Sequence, residues 1–269
     1  MTPDDSMDTL AAELGVRADE IRRVRSPRGG VLLGFRCEPG ECLDLWRRAR
    51  ARYEITGLWP VITHTSPTQW EWADVPGDSH DEKAGQSIID RLVELQANSL
   101  LAEAQWFKRS YGSGRPARDL EDLTRRLTDA IPAAGTWTPI SAESALATFF
   151  AEPPRWIWLV PTEDPSRLPE VLDTPFTPNH VPFPGEEALS YRDHANVLRE
   201  WHDRYGAEIC YLDTSSVLLS VERPPVTPTE AAQVAIEHWA YCPDLDQVIG
   251  GPPEVAAQVS TRTWFFWWD

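Results

Sequence analysis

The chain has 269 residues, 42% of them hydrophobic. That suits a globular body with a substantial buried core and excludes collagen-like and disordered compositions. Its 25 lysines and arginines stand against 42 aspartates and glutamates, a formal charge of −17; a field of that sign repels a phosphate backbone, so no nucleic-acid partner is expected.

The first residues carry Asp4, Asp5 and Asp8 where a secretory leader would be positive. No run of about 18 apolar residues occurs, so no membrane helix is expected and the protein is placed in the cytoplasm. Four cysteines, Cys37, Cys42, Cys210 and Cys242, show no CxxC spacing and are expected as buried thiols, not disulfides. Residues 8–14 and 18–24 are expected as short helices. They have the outline of a helix-turn-helix, but Asp19 and Glu20 occupy the positions that would approach DNA.

Residues 31–37 read as a strand, and residues 58–63 as another. Between them Cys42, Trp46, Ala49 and Tyr53 lie at helical spacing, which makes a βαβ unit. The opposite helix face holds Arg47, Arg48, Arg50 and Arg52; it reads as a solvated face, with an anion-binding patch as the sharper alternative. Residues 66–81 are irregular around Trp70 and Trp72. Apolar periodicity at Ile88, Leu92 and Leu95, and again at Leu120, Leu123, Leu127 and Ile131, predicts two helices. With the Gly-Ser link at 110–116 they read as a helical hairpin over 84–131, appended to the body.

Ser141 starts a helix to Phe150, residues 156–160 form a strand, and a proline-rich covering loop follows over 161–185. Ser190 with Asp193 makes a capping box, and Gly206 ends that helix. Strands at 207–212 and 217–221 flank the turn Asp213-Thr214-Ser215. Thr227-Pro228-Thr229-Glu230 is the clearest helix start in the chain. The terminal segment 263–268 alternates aromatics on both faces, which predicts a strand internal to the sheet. The expected fold is α+β: a compact mixed β-sheet covered by helices, with the hairpin as appendage. Its parts are an N-terminal region, 1–150, and a C-terminal domain, 151–269, packed as one body.

"LREWHDRYGAEICYL" (198–212), "RPPVTPTEAAQVAIEHWAYCPD" (223–244) and the closing "TWFFWWD" (263–269) together resemble the signature blocks of the DUF4253 family. "LWRRARARYEITGLWPVI" (45–62) is similar to the region preceding that domain in many bacterial members. The resemblance covers the C-terminal third strongly and the N-terminal half in part. It implies a domain of unknown function and no particular chemistry.

Several residues could carry function. His238 and Cys242 stand at i, i+4, a metal-ligand spacing, but neither CxxC nor HExxH accompanies them, and burial of Cys242 as a small apolar group is the stronger reading. No metal or cofactor is expected. Cys242 also sits at a helix C-terminus, where a thiolate is disfavoured. The carboxylates of Glu208, Asp213, Glu237, Asp244 and Asp269 are candidates for acid–base work. Glu208 shares a strand face with Cys210, and Arg223 is its expected counter-ion in a structural pair. Trp264, Trp267 and Trp268, with Asp269, would be binding anchors if exposed. The favoured function is a non-enzymatic, immunity-like or regulatory protein that binds a basic partner. The alternative is a metal- or carboxylate-dependent hydrolase around Glu208, Arg223 and Asp244, with Cys242 as a further candidate.

Overall fold

A computed structural model of the chain describes residues 10–26, 30–38, 40–66, 85–102, 117–131, 155–175, 189–250 and 252–269. The acidic first residues, Trp70 and Trp72, the 110–116 link and the 141–150 helix lie outside them.

Among the described residues the sheet has seven strands: β1 (Arg22–Arg25), β2 (Val31–Cys37), β3 (Leu58–Thr63), β4 (Arg155–Pro161), β5 (Ala207–Leu212), β6 (Ser216–Val221) and β7 (Thr263–Trp267). Their order is β1-β2-β4-β3-β5-β6-β7, and every neighbouring pair is antiparallel except β3 with β5. The fold is therefore α+β on a mixed sheet. The expected βαβ unit is split: β2 and β3 run the same way, but β4 lies antiparallel between them and takes the hydrogen bonds of both. The helix expected over 18–24 is a single turn at Ala18–Glu20 followed by β1, because Val24 and its neighbours pair with β2 across a hairpin. Arg22, Arg23 and Arg25 are exposed on this edge strand, and their charge guards it against further pairing.

Helix α1 (Cys42–Arg50), followed by the single turn α2 (Tyr53–Thr56), packs on one face of β3 and β4 through Leu45, Trp46 and Ala49. The indole N–H of Trp46 donates to the carbonyl of Pro60 at 2.8 Å, so a buried polar group is satisfied where it meets the sheet. Across the strand-to-helix turn the structure joins Cys37 and Cys42 in a disulfide. This corrects the expectation of free thiols: the turn brings their Cα atoms to 5.5 Å, inside disulfide range. Cys210 and Cys242 are free and buried.

The other sheet face carries two helical layers. Helix α3 (Gly85–Ala102) and helix α4 (Leu120–Ala130) were expected as an appended hairpin. They instead lie on helices contributed by the C-terminal half and bury Ile88, Ile89, Leu92, Leu123 and Leu127. Their apolar stripes thus complete the core. The proline-rich stretch also holds structure, the short helix α5 (Leu168–Leu172).

Helix α6 (Tyr191–Tyr205) begins with the expected reciprocal capping box between Ser190 and Asp193, and ends at Gly206 in the left-handed region. After β5 and β6 comes helix α7 (Pro228–Tyr241), where Thr227 accepts from the Glu230 N–H as expected. Glu230 reaches back one residue further than the cap, to the N–H of Val226. The short helices α8 (Leu245–Val248) and α9 (Pro252–Val259) lead into β7.

Among the described residues β7 is an edge strand, which corrects the expectation of an internal one. Trp264, Phe266 and Trp268 are buried, while Phe265 and Trp267 on the opposite face are half-buried. On the buried face Trp201 stacks on Phe266 with centroids 5.2 Å apart, and Tyr241 meets Trp268 edge-on. The open edge is closed by side chains. Thr261 Oγ1 donates to the carbonyl of Thr263 at 2.8 Å, Gln258 Nε2 to that of Phe265 at 3.3 Å, and Cys242 Sγ to that of Trp267 at 3.0 Å. An aromatic strand can therefore end the sheet without presenting a bare row of carbonyls.

Candidate functional site

Among the described strands, the parallel pair β3/β5 is where two adjacent strands deliver their carboxyl ends side by side. Such points are where open sheets assemble ligand sites. The residue following β3 is His64, and the residue following β5 is Asp213. His64 Nδ1 lies 3.1 Å from Asp213 Oδ2 and 3.3 Å from the Tyr211 hydroxyl. Tyr211 donates its hydroxyl to the same carboxylate oxygen, and the Ser215 N–H donates to the other at 2.9 Å. Arg155, at the start of β4, donates to the Tyr211 oxygen at 3.5 Å, with its guanidinium 5.5 Å from the ring centroid. Thr174 ties down the Asp213 carbonyl through its own hydroxyl.

Protonation states follow from these contacts. Burial by itself pushes the Asp213 carboxyl up, but the donors His64, Tyr211 and Ser215 outweigh it and hold the group below the usual carboxylate range. Burial, and then the Asp213 charge, push the Tyr211 phenol well up, so it stays a proton donor. An ionised Asp213 assigns the proton of neutral His64 to Nδ1 and leaves a lone pair on Nε2. The His64 side chain is 44% exposed and that of Asp213 only 8%. A buried, charged carboxylate thus orients a half-exposed imidazole through Nδ1, the arrangement that prepares a histidine for proton transfer.

Apart from Asp213, the residues singled out from the sequence fall elsewhere, in several separate places. Glu208 is paired with Arg50, not Arg223: Nε to Oε2 is 3.0 Å and Nη2 to Oε1 is 2.5 Å. Arg50 in turn lies over the Trp59 ring, 4.6 Å from its centroid. The pairing arises because α1 covers the face on which Glu208 points, while Arg223 leaves β6 and engages the exposed Glu222 beside it. Glu208 and Arg223 still line one cleft.

Asp244, Cys242 and Asp269 gather at the other end of β7. There the Asp244 carboxylate accepts the Asp269 N–H at 3.1 Å. Cys242 is fully buried on the Trp267 carbonyl, and its burial raises the thiol well above its ordinary value. Glu208, Arg223, Asp244 and Cys242 therefore do not form a single site.

His238 is enclosed by Trp201, Trp264 and Phe266, with centroids 4.5 to 4.8 Å away, and neither ring nitrogen has a hydrogen-bond partner. Burial, then the Arg204 charge, hold it neutral. Among the described residues, no group of three His, Cys, Asp or Glu side chains is placed to hold a metal ion. Trp264 and Trp268 are core residues, not exposed anchors, and Trp267 is half-buried. Glu237 belongs to another ion pair, with both oxygens on Arg204 at 2.9 and 3.0 Å.

Sequence reasoning named Asp213 but missed His64, Tyr211 and Arg155. A lone histidine after a strand carries no local signal; its partner becomes visible only through the β3/β5 pairing.

Residues 156–269 match the family model described as Domain of unknown function (DUF4253). The match confirms the resemblance of the C-terminal blocks. No curated protein and no solved structure matches the chain. The DUF4253 region supplies β4 to β7, yet β3, which lies between β4 and β5, comes from outside it. The site is divided likewise: Asp213 and Tyr211 belong to the DUF4253 region, His64 and Arg155 do not. No helix among the described residues is long and apolar enough to cross a membrane.

Proposed function

We propose that the protein is an enzyme that performs acid–base chemistry on a small polar substrate at the carboxyl ends of β3 and β5. The observation that carries this reading is the buried Asp213 carboxylate bound to Nδ1 of the half-exposed His64. In this reading His64 Nε2 removes a proton from a bound hydroxyl, thiol or water. The imidazolium that forms is stabilised by Asp213, which stays ionised throughout. Tyr211, which donates to the carboxylate, and Arg155, which donates to Tyr211, are positioning residues. Such a base contributes about 10²- to 10⁴-fold in rate.

The test is an untargeted one. Purified protein is incubated with a small-molecule extract and the masses consumed and produced are recorded for the native chain, His64→Gln and Asp213→Asn. Conversion by the native chain that falls about 100-fold or more in His64→Gln supports the reading. Identical behaviour of the native chain and His64→Gln, with both folded, refutes it.

The charge of −17 supports a second reading, docking of a basic protein partner. Its partner would co-purify at low ionic strength and be released by salt, because screening shortens the reach of the field. Retention unaffected by salt would argue against it.

A further inference from the structure

We propose that the cleft at the opposite end of β5, between α1 and the first residues of β5 and β7, binds a small phosphomonoester. The inference is independent of His64 and Asp213. The cleft encloses about 700 Å³, within the range of small-molecule sites. In a chain of net charge −17 its lining is locally basic, with four guanidiniums, Arg47, Arg50, Arg223 and Arg262, against the carboxylates of Glu208 and Glu222.

The two carboxylates are already committed. Glu208 is held by both nitrogens of Arg50, and Glu222 by Arg223 at 2.7 Å. The surplus rests on Arg47 and Arg262. Arg47 has only an exposed contact with Asp44 at 3.2 Å, and Arg262 forms no ion pair among the described residues. The Arg262 fork, with Arg47, whose Asp44 contact is exposed and exchangeable, matches a dianion, and the planar fork fits phosphate oxygens in pairs.

The floor adds neutral donors. Glu208, Ser220 and Thr263 lie opposite one another across β5, β6 and β7, so two hydroxyls line up beside the ion pair. His202, at the end of α6, faces the same cleft. Leu43 provides an apolar wall for the organic part of a ligand. A long polyanion is disfavoured because the charge of the whole molecule repels it outside the cleft, whereas a small ligand feels mainly the local field.

Calorimetric titration at low salt with AMP, inorganic phosphate and citrate tests the proposal on the full chain. A double variant, Arg47→Gln with Arg262→Gln, changes two side chains whose loss leaves the core intact, and its melting temperature checks the fold. AMP is expected to bind saturably and to weaken by about tenfold or more in the double variant. Phosphate is expected to bind more weakly than AMP, and citrate to be the poorest of the three. No saturable AMP binding up to about 10 mM overturns the proposal. So does binding undiminished in a folded double variant, or tighter binding of citrate, which would assign the cleft to carboxylates.

Discussion

His64 and Asp213, 149 residues apart, meet at 3.1 Å because their strands are the parallel neighbours of an otherwise antiparallel sheet. The contact couples the N-terminal half to the DUF4253 region through a buried charge. It therefore has consequences for stability as well as for chemistry.

Replacing Asp213 by asparagine is expected to destabilise the protein by about 2 kcal/mol at pH 7, since charge-assisted bonds from His64, Tyr211 and Ser215 are weakened together. The carboxyl is held below its unfolded value, so its contribution is fully present above about pH 4 and is lost as acid titrates the folded group. Urea unfolding of both proteins checks this. The gap between them should narrow toward pH 2, and a gap independent of pH would contradict it.

His238 sets a second acid limb. Its folded-state value is depressed by burial, while the unfolded chain binds a proton near pH 6.5. Below that pH the unfolded state holds more protons, so stability falls as pH falls, by up to about 1.4 kcal/mol per pH unit from this group. His238→Leu is expected to remove that portion of the slope. It should also hold or raise stability at pH 7, because two buried nitrogens without partners disappear. Equal slopes between pH 6.5 and pH 5 in the two proteins would refute this.

Gly206 and Gly57 both end helices in the left-handed region, at φ 62° and 64°. They differ in surroundings. A Cβ at Gly206 would stand 2.9 Å from Glu222 Cβ, while one at Gly57 would meet nothing within 4 Å. Gly57→Ala is expected to cost about 1 kcal/mol from backbone strain alone. Gly206→Ala should cost at least about twice that. Chemical denaturation midpoints measure the difference, and equal losses would show that the β6 end yields freely.

The polypeptide 156–269 alone is expected not to form the native sheet, since β3, which separates β4 from β5, is missing. Without residues 1–155, β4 loses both of its partners, β2 and β3, and β5 becomes an edge. A collapsed, poorly dispersed amide spectrum is the expected result. A well-dispersed one would show that β4 and β5 can pair directly.

What was legible in the sequence was local. Ser190, Gly206 and Thr227 announced their helix ends because a cap is completed within four residues. The apolar stripes of α3 and α4 were equally plain, but a stripe names no partner, and these two were placed outside a body they help to complete. Glu208, on a strand face shared with Cys210, is expected to need a cation. Arg223 was the nearer choice in sequence, and Arg50 won because helix α1 lies over that face.

By itself the sequence determined the class of fold, every strand of the sheet except β1, most helices and the acidic field, since these follow from composition and short-range spacing. Only the tertiary structure decided the order of the strands, the disulfide, the edge position of β7 and the union of His64 with Asp213. Alternation tells which faces of a strand must be covered. It does not tell which strand lies beside it, because that choice is made by the packing of whole layers over long stretches of chain.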